Sequence, residues 1–296
     1  VINLNQKFPG YDIKSQVSLA NYTNTQVGGT ADWAFWPSSV SHLQEVLQCA
    51  HDNNMPITVI GNASNLVIGD AGLRGLVIFL SKLCQIEVSG ERITAQAGAA
   101  LIDVTNVAMA HSLSGVEWAA GIPGSVGGAV YMNAGAYDGY IARWIDSVQV
   151  LTADNQIKEL TNAEMAFDYR QSRIQTSGEV ILGATFKLVP GDRAAIEQAM
   201  TDFNIQRATK QPLEYPSAGS VFKRPPHHYA GKLIMDAGMQ GYTVGGAQVS
   251  KKHAGFIVNF NHATASDYIA VIRAVQAQVK AKFDVELETE VKILGE

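Results

Sequence analysis

Residues 121–137 read GIPGSVGGAVYMNAGAY: five glycines, three alanines and no charge in seventeen positions. So few side-chain atoms cannot build a core of their own. Glycine is costly in backbone entropy unless the chain must take positive φ or approach something closely. The stretch makes sense as backbone laid flat against a large planar ligand. Asn133 and Tyr137 set polar groups among the small ones, which weighs against the blander reading of a buried Gly/Ala crossover.

The 27 glycines of the chain are dense from Gly61 to Gly75, from Gly115 to Gly139 and from Gly238 to Gly246. Three such clusters suggest loops that hug a ligand, although some are plain tight turns. Ile57 to Asp70 reads ITVIGNASNLVIGD, a β run that feeds Gly61-Asn62-Ala63-Ser64-Asn65 and returns to apolar Leu66-Val67-Ile68. A turn of small residues at a strand end can aim consecutive N–H groups at an anion, and a diphosphate is the natural guest.

Around these loops the pattern mixes helix and strand. Val40, Leu43, Val46, Leu47 and Ala50 fall at helical spacing within 38–54, and Pro56 stops that helix. Residues 57–60, 75–80, 92–97 and 180–189 read as strands, and 146–161 as a hairpin turning at Asp154-Asn155. Thr161-Asn162-Ala163-Glu164 has the form of a capping box. Helices are expected over 101–111, 192–209, 230–237 and 266–282, and strands over 253–260 and 285–294. The order lacks strict βαβ alternation, so the fold class is α+β. A boundary falls near Pro190-Gly191 or Gln211-Pro212.

Composition excludes several functions. The chain has 296 residues, 22 Lys+Arg against 27 Asp+Glu, and 47% hydrophobic residues, which is globular rather than disordered. A net charge of −5 without a basic cluster argues against a nucleic-acid partner. No apolar stretch approaches the roughly 20 residues of a membrane helix. The first 30 residues lack the apolar core of a secretory signal. Cys49 and Cys84 are the only cysteines and form no CxxC, so a zinc ribbon is out; both are expected to be buried thiols. No metal site is expected. His227-His228 reads as a surface turn after Pro225-Pro226. G-x-G-x-x-G before a helix, a complete Walker A loop and G-x-S-x-G are all missing. Ser220-Val221-Phe222-Lys223 fits S-x-x-K but without its companion motifs.

Taken together, the motifs resemble those of the UDP-N-acetylenolpyruvoylglucosamine reductase family, over nearly the whole chain. Asn24-Thr25-Gln26-Val27-Gly28-Gly29 is similar to its entry motif, residues 61–65 to its G-x-G-S-N loop, and 121–137 to its flavin segment. Phe167-Asp168-Tyr169-Arg170, Ala218-Gly219-Ser220-Val221-Phe222 and Leu287-Glu288-Thr289-Glu290-Val291 are similar to its three catalytic stretches. The chain departs from the family pattern at Ala63 (usually Gly), Thr289 (usually Pro) and Arg224 (Asn in other members). The compact stretch 211–265 resembles the shorter subtype, which lacks a helical insertion and a substrate-covering tyrosine loop.

The resemblance implies a flavin-binding fold of the vanillyl-alcohol-oxidase type, made of two α+β subdomains, plus a smaller C-terminal α+β substrate domain. The implied division is an N-terminal segment 1–22, an FAD-binding domain 23–190 and a substrate-binding domain 191–296 whose last strand returns to the active site. Non-covalent FAD is implied at Gly61, Asn62, Ala63, Ser64, Asn65, Gly121, Pro123, Gly124, Ser125, Gly127, Gly128, Asn133, Gly135 and Ala136. Lys210 and Tyr137 are implied substrate contacts, with NADPH as reductant and UDP-N-acetylglucosamine enolpyruvate as substrate. The family also implies a cytoplasmic monomer in peptidoglycan precursor synthesis. Arg170, Ser220 and Glu290 are the implied catalytic residues. Hydride addition to an enolpyruvyl methylene leaves an enolate, which calls for fixed donors aimed at its charge. Arg170 offers a planar cationic fork to the carboxylate. Ser220 offers the proton. Glu290 helps only as an acid or shared with a donor, since a bare carboxylate would repel the enolate. An oxidase of small alcohols on the same fold and a non-catalytic nucleotide-sugar binder are the competing expectations.

Overall fold

The computed structural model describes residues 2–295. The chain forms two compact units, one from residues 1–15, 33–62 and 75–206, the other from 16–32, 63–74 and 207–296. Each has its own apolar core.

The first unit is built on a five-stranded antiparallel sheet. Its strand order is Ile157–Thr161, Ile145–Leu151, Val180–Lys187, Arg92–Gln96 and Ile86–Ser89. Val148, Val150, Leu160, Ala184, Phe186, Ile93 and Ala95 are buried. On the exposed face Thr94 lies opposite Thr185, their hydroxyls 3.0 Å apart. The hairpin pairs Leu151 with Ile157, and Asn155 at φ 63° makes its turn. The helices Leu101–Ala110 and Val126–Tyr131 pack beside this sheet. A parallel pair places Ile57 opposite Leu76 and Ile60 opposite Phe79. The helix Val40–Asp52 buries Leu43, Val46, Leu47, Cys49 and Ala50 in the same core.

The second unit contains a four-stranded antiparallel sheet ordered Ser217–Ser220, Phe256–Asn259, Ala247–Val249, Thr243–Val244. The helix Ala265–Phe283 packs on it through Tyr268, Ile272, Val275 and Val279. Tyr268 is wholly buried and its hydroxyl donates to the Ile257 carbonyl at 2.6 Å; that burial pushes the phenol far above its ordinary range. The helix start has every orphan donor answered. Asp70 accepts from the Ala265 and Ser266 N–H groups at 2.8 and 2.9 Å and from the Ser266 hydroxyl at 2.6 Å. Thr264 accepts from Asp267 N–H in a reciprocal capping box. A further parallel pair joins Leu66–Ile68 to Lys292–Leu294.

Several expectations change. The strand expected over 285–294 is confined to Lys292–Leu294; before it a single bridge joins Thr289 to Phe222. The strand expected from His253 begins at Phe256, because the Ser250 hydroxyl accepts from Lys252 and His253 N–H and turns the chain first. Cys84 is exposed, while Cys49 is buried as expected. Pro226-His227 is an exposed turn. Among the described residues no helix is long and apolar enough to cross a membrane.

Candidate active site

In the first unit the two small-residue loops come together. A Cβ placed on Gly61 would collide with Ser125 Oγ, so only glycine lets the strand end pass this close. Asn62 Nδ2 donates to the Pro123 carbonyl at 2.5 Å. Ser125 bridges Ala100 and caps the helix Val126–Tyr131, accepting from Gly128 N–H at 3.2 Å. That helix is a correction. The segment does not simply lie flat: Val126, Gly127, Ala129 and Val130 are buried within the unit. Gly127 N–H donates to the Ala97 carbonyl at 2.8 Å, and a Cβ there would stand 2.9 Å from the Ala97 methyl. Part of the segment's small size therefore serves packing.

Asn133 also has internal work. Its Nδ2 donates to the Asp168 carbonyl at 2.9 Å and its Oδ1 accepts from Ala142 N–H at 2.9 Å. Its polarity thus pins the turn that carries Arg170, and is no argument by itself for a ligand. Asp168 and Gln171 close that turn on each other, and Gln175 Nε2 holds the Arg170 carbonyl at 3.0 Å. Arg170 sits at φ 55° in the left-handed region and is half-buried. One guanidinium nitrogen donates to the Gly135 carbonyl at 2.9 Å, and the group lies 5.1 Å from the Tyr169 ring centre. Asn133, Tyr137 and Asp138 share the left-handed conformation, so strained non-glycine backbone is concentrated around Gly135. Such strain persists only where surrounding structure holds it, and it gathers at functional sites. Tyr137 packs on Phe203, ring centres 4.9 Å apart.

The loop 61–65 fits an anion. Among the described residues, the main-chain N–H groups of Asn62, Ala63, Ser64 and Asn65 make no hydrogen bond to a protein acceptor. Consecutive donors left open beside a glycine cradle are what a diphosphate needs. Gly121 and Gly124 lie on the approach to Ser125, the Gly124 carbonyl accepting from Leu101 N–H at 2.9 Å; Ala136 pairs with Gly139.

In the second unit Ser220 and Glu290 are carried by neighbouring main chain. Gly219 at φ 74° makes the bulge that ends the strand at exposed Ser220. The next residue, Val221, donates its N–H to the Gly255 carbonyl at 2.9 Å and accepts from Glu290 N–H at 2.7 Å. Lys223 N–H donates to the Glu288 carbonyl at 2.9 Å, and the Lys223 and Glu288 side chains form an ion pair. These bonds use the atoms of 288 and 290 and leave the Thr289 N–H out of the ladder. His253 Nδ1 accepts from Gly255 N–H at 3.1 Å, so the neutral ring steadies the turn facing Val221; burial lowers its pKa. Arg224 stacks over Tyr229 at 4.0 Å. Lys210 is the exposed last residue of the helix Arg193–Lys210.

Sequence reasoning missed the links that hold these residues. Asn65 Nδ2 reaches the Glu290 carbonyl at 3.1 Å, and its own carbonyl accepts from Lys292 N–H at 3.0 Å. No local pattern reports a contact across 225 positions.

Comparison with known proteins gives the family. Residues 31–161 match the family described as "FAD binding domain", and residues 211–294 match "UDP-N-acetylenolpyruvoylglucosamine reductase, C-terminal domain". The UDP-N-acetylenolpyruvoylglucosamine reductase of Limosilactobacillus fermentum is 55% identical over 99% of this chain and 98% of its own length. That of Lactiplantibacillus plantarum is 52% identical over 98% of this chain and 96% of its own. A solved UDP-N-acetylenolpyruvylglucosamine reductase from Thermus caldophilus superposes with a TM-score of 0.84 at 31% identity, covering 96% of this chain and 99% of that one. A glucose dehydrogenase, Phl p 4, shares the fold alone at 16% identity and a TM-score of 0.52, covering 64% of this chain and 44% of its own. The chain thus carries an FAD-binding domain in an α+β fold, and belongs to the UDP-N-acetylenolpyruvoylglucosamine reductase family.

Proposed function

We propose that the chain reduces the enolpyruvyl double bond of UDP-N-acetylglucosamine enolpyruvate with NADPH, giving UDP-N-acetylmuramate, as a cytoplasmic monomer in peptidoglycan precursor synthesis. The supporting observation is the hydrogen bond from Glu290 N–H to the Val221 carbonyl. It holds a carboxyl-bearing residue beside the strand end that presents Ser220, in a chain with full-length kinship to reductases of this name.

The open N–H groups of 62–65 would hold the diphosphate of FAD, which when bound would supply the hydride chemistry between NADPH and the substrate. The protein's own groups do the rest. Arg170, braced by Gly135, offers the fork that binds the pyruvyl carboxylate and steadies the enolate charge. Ser220 gives its hydroxyl proton to the carbon that bears that charge. Glu290, as an acid, adds a second donor. Lys210 and Tyr137 contact the sugar nucleotide.

Rapid mixing separates the two half-reactions. Ser220→Ala should take electrons from NADPH at the normal rate, seen as bleaching near 450 nm, while reoxidation by substrate slows by about 100-fold or more. A variant that reoxidises normally removes Ser220 from the proton step. A wild-type protein that stays bleached when substrate is added removes the function.

A further inference from the structure

We infer that Asn65 is a positioning residue for Glu290. Its carboxamide and its main chain clamp the segment 290–292, so the loop that follows the glycine cradle also sets the height of the acid. The inference rests on the reading of Glu290 as an active-site acid.

The geometry is specific. Asn65 Nδ2 donates to the carbonyl of Glu290 itself at 3.1 Å. Its carbonyl receives the Lys292 N–H at 3.0 Å, which opens the parallel pairing of Lys292 with Leu66. On the other side, Glu290 N–H is held by the Val221 carbonyl at 2.7 Å. Glu290 is therefore fixed at both its N–H and its C=O, by two stretches distant in sequence. The strand Lys292–Leu294 alone cannot do this, because the ladder begins two residues beyond the acid. Asn65 is half-buried, and its amide turned to Glu290 is committed within the protein. Its side chain thus acts on the acid through one of its two N–H donors.

Asparagine suits the task because one short side chain can donate to a carbonyl while its backbone serves a strand. Asn65→Asp keeps the shape, removes the donor and sets a carboxylate against the carbonyl. Displacement of a reacting group by about an ångström can cost roughly 100-fold in rate.

The test uses FAD-loaded enzyme and both half-reactions. For Asn65→Asp, both half-reactions are timed on the FAD-loaded fraction, and reduction by NADPH should be slowed less than reoxidation. Reoxidation by substrate should slow by about 10- to 100-fold. In a Glu290→Gln background the same change should add little, since the two residues act as one unit. Reduction slowed as much as reoxidation, an unchanged reoxidation rate, or fully additive effects would each overturn the inference. If Asn65→Asp does not fold, Asn65→Ser, smaller and neutral, carries the same readouts. Normal reoxidation by Glu290→Gln alone would overturn the prior reading of the acid instead.

Discussion

Ala63 shows how much one methyl group can say. Its backbone lies at φ 47°, a conformation that costs an L-residue with a Cβ roughly 1–2 kcal/mol. Glycine takes this left-handed conformation without that cost. Ala63→Gly should relieve that strain, less the extra freedom glycine gives the unfolded chain, about 0.4–1 kcal/mol. The net expectation is a gain of about 0.5 kcal/mol in urea unfolding, with Ala63 N–H still open to an anion. A loss of stability would mean the alanine is not strained. Arg170, at φ 55°, holds the same unfavourable conformation without a glycine, because Asn133 and Gln175 grip its turn from both sides.

The start of the helix Ala265–Phe283 is held from another part of its unit by Asp70. Desolvation works to raise the Asp70 pKa, but hydrogen bonds from Ser266 and Ala265 outweigh it and hold the carboxyl below its usual range. A carboxyl depressed in the folded state stabilises above its ordinary pKa, and that contribution disappears as pH falls through the folded value. Asp70→Ala should therefore cost about 1 kcal/mol at neutral pH. The gap between variant and wild type should narrow as pH falls below the ordinary carboxylate range in paired urea titrations. A constant gap would mean that shape rather than charge is lost.

Elements differ in how far the sequence announced them. The helix Val40–Asp52 and the hairpin 145–161 were legible because their apolar periods match their burial. The capping box at 161–164 was legible from residue types: Glu164 accepts from Thr161 N–H at 2.8 Å. The strand Ile13–Ser18 was not, since only Ile13 of its residues is buried and no alternation marks it. The helix Val126–Tyr131 was hidden by its glycines, which are poor helix formers overridden here by the Ser125 cap and close packing on Ala97. Residues 285–291 carry an apolar alternation but find only a bridge at Thr289, so pattern overstated the ladder. Of the candidate site, the residue types were readable through resemblance. The Asn65–Glu290 clamp was not, because it is a matter of tertiary register.

At the scale of the molecule, two separate apolar cores must each be secured. The open N–H groups of 62–65 have no unfolded counterpart arranged for a diphosphate, so FAD should bind the folded chain alone. Ligand linkage then gives about 2.7 kcal/mol at one hundred times the dissociation constant. The melting temperature of apoprotein should rise steadily with the logarithm of added FAD, as followed by differential scanning calorimetry. A melting point indifferent to FAD would contradict the assignment of the loop.

The pairing of Leu66–Ile68 with Lys292–Leu294 also has a meaning for biosynthesis. An apolar three-residue strand made early must wait for a partner some 225 positions later. At about 5–20 residues per second, the ribosome leaves it uncovered for roughly 10–45 s. During that time the nascent chain exposes a sticky edge, and the acid it will anchor does not yet exist.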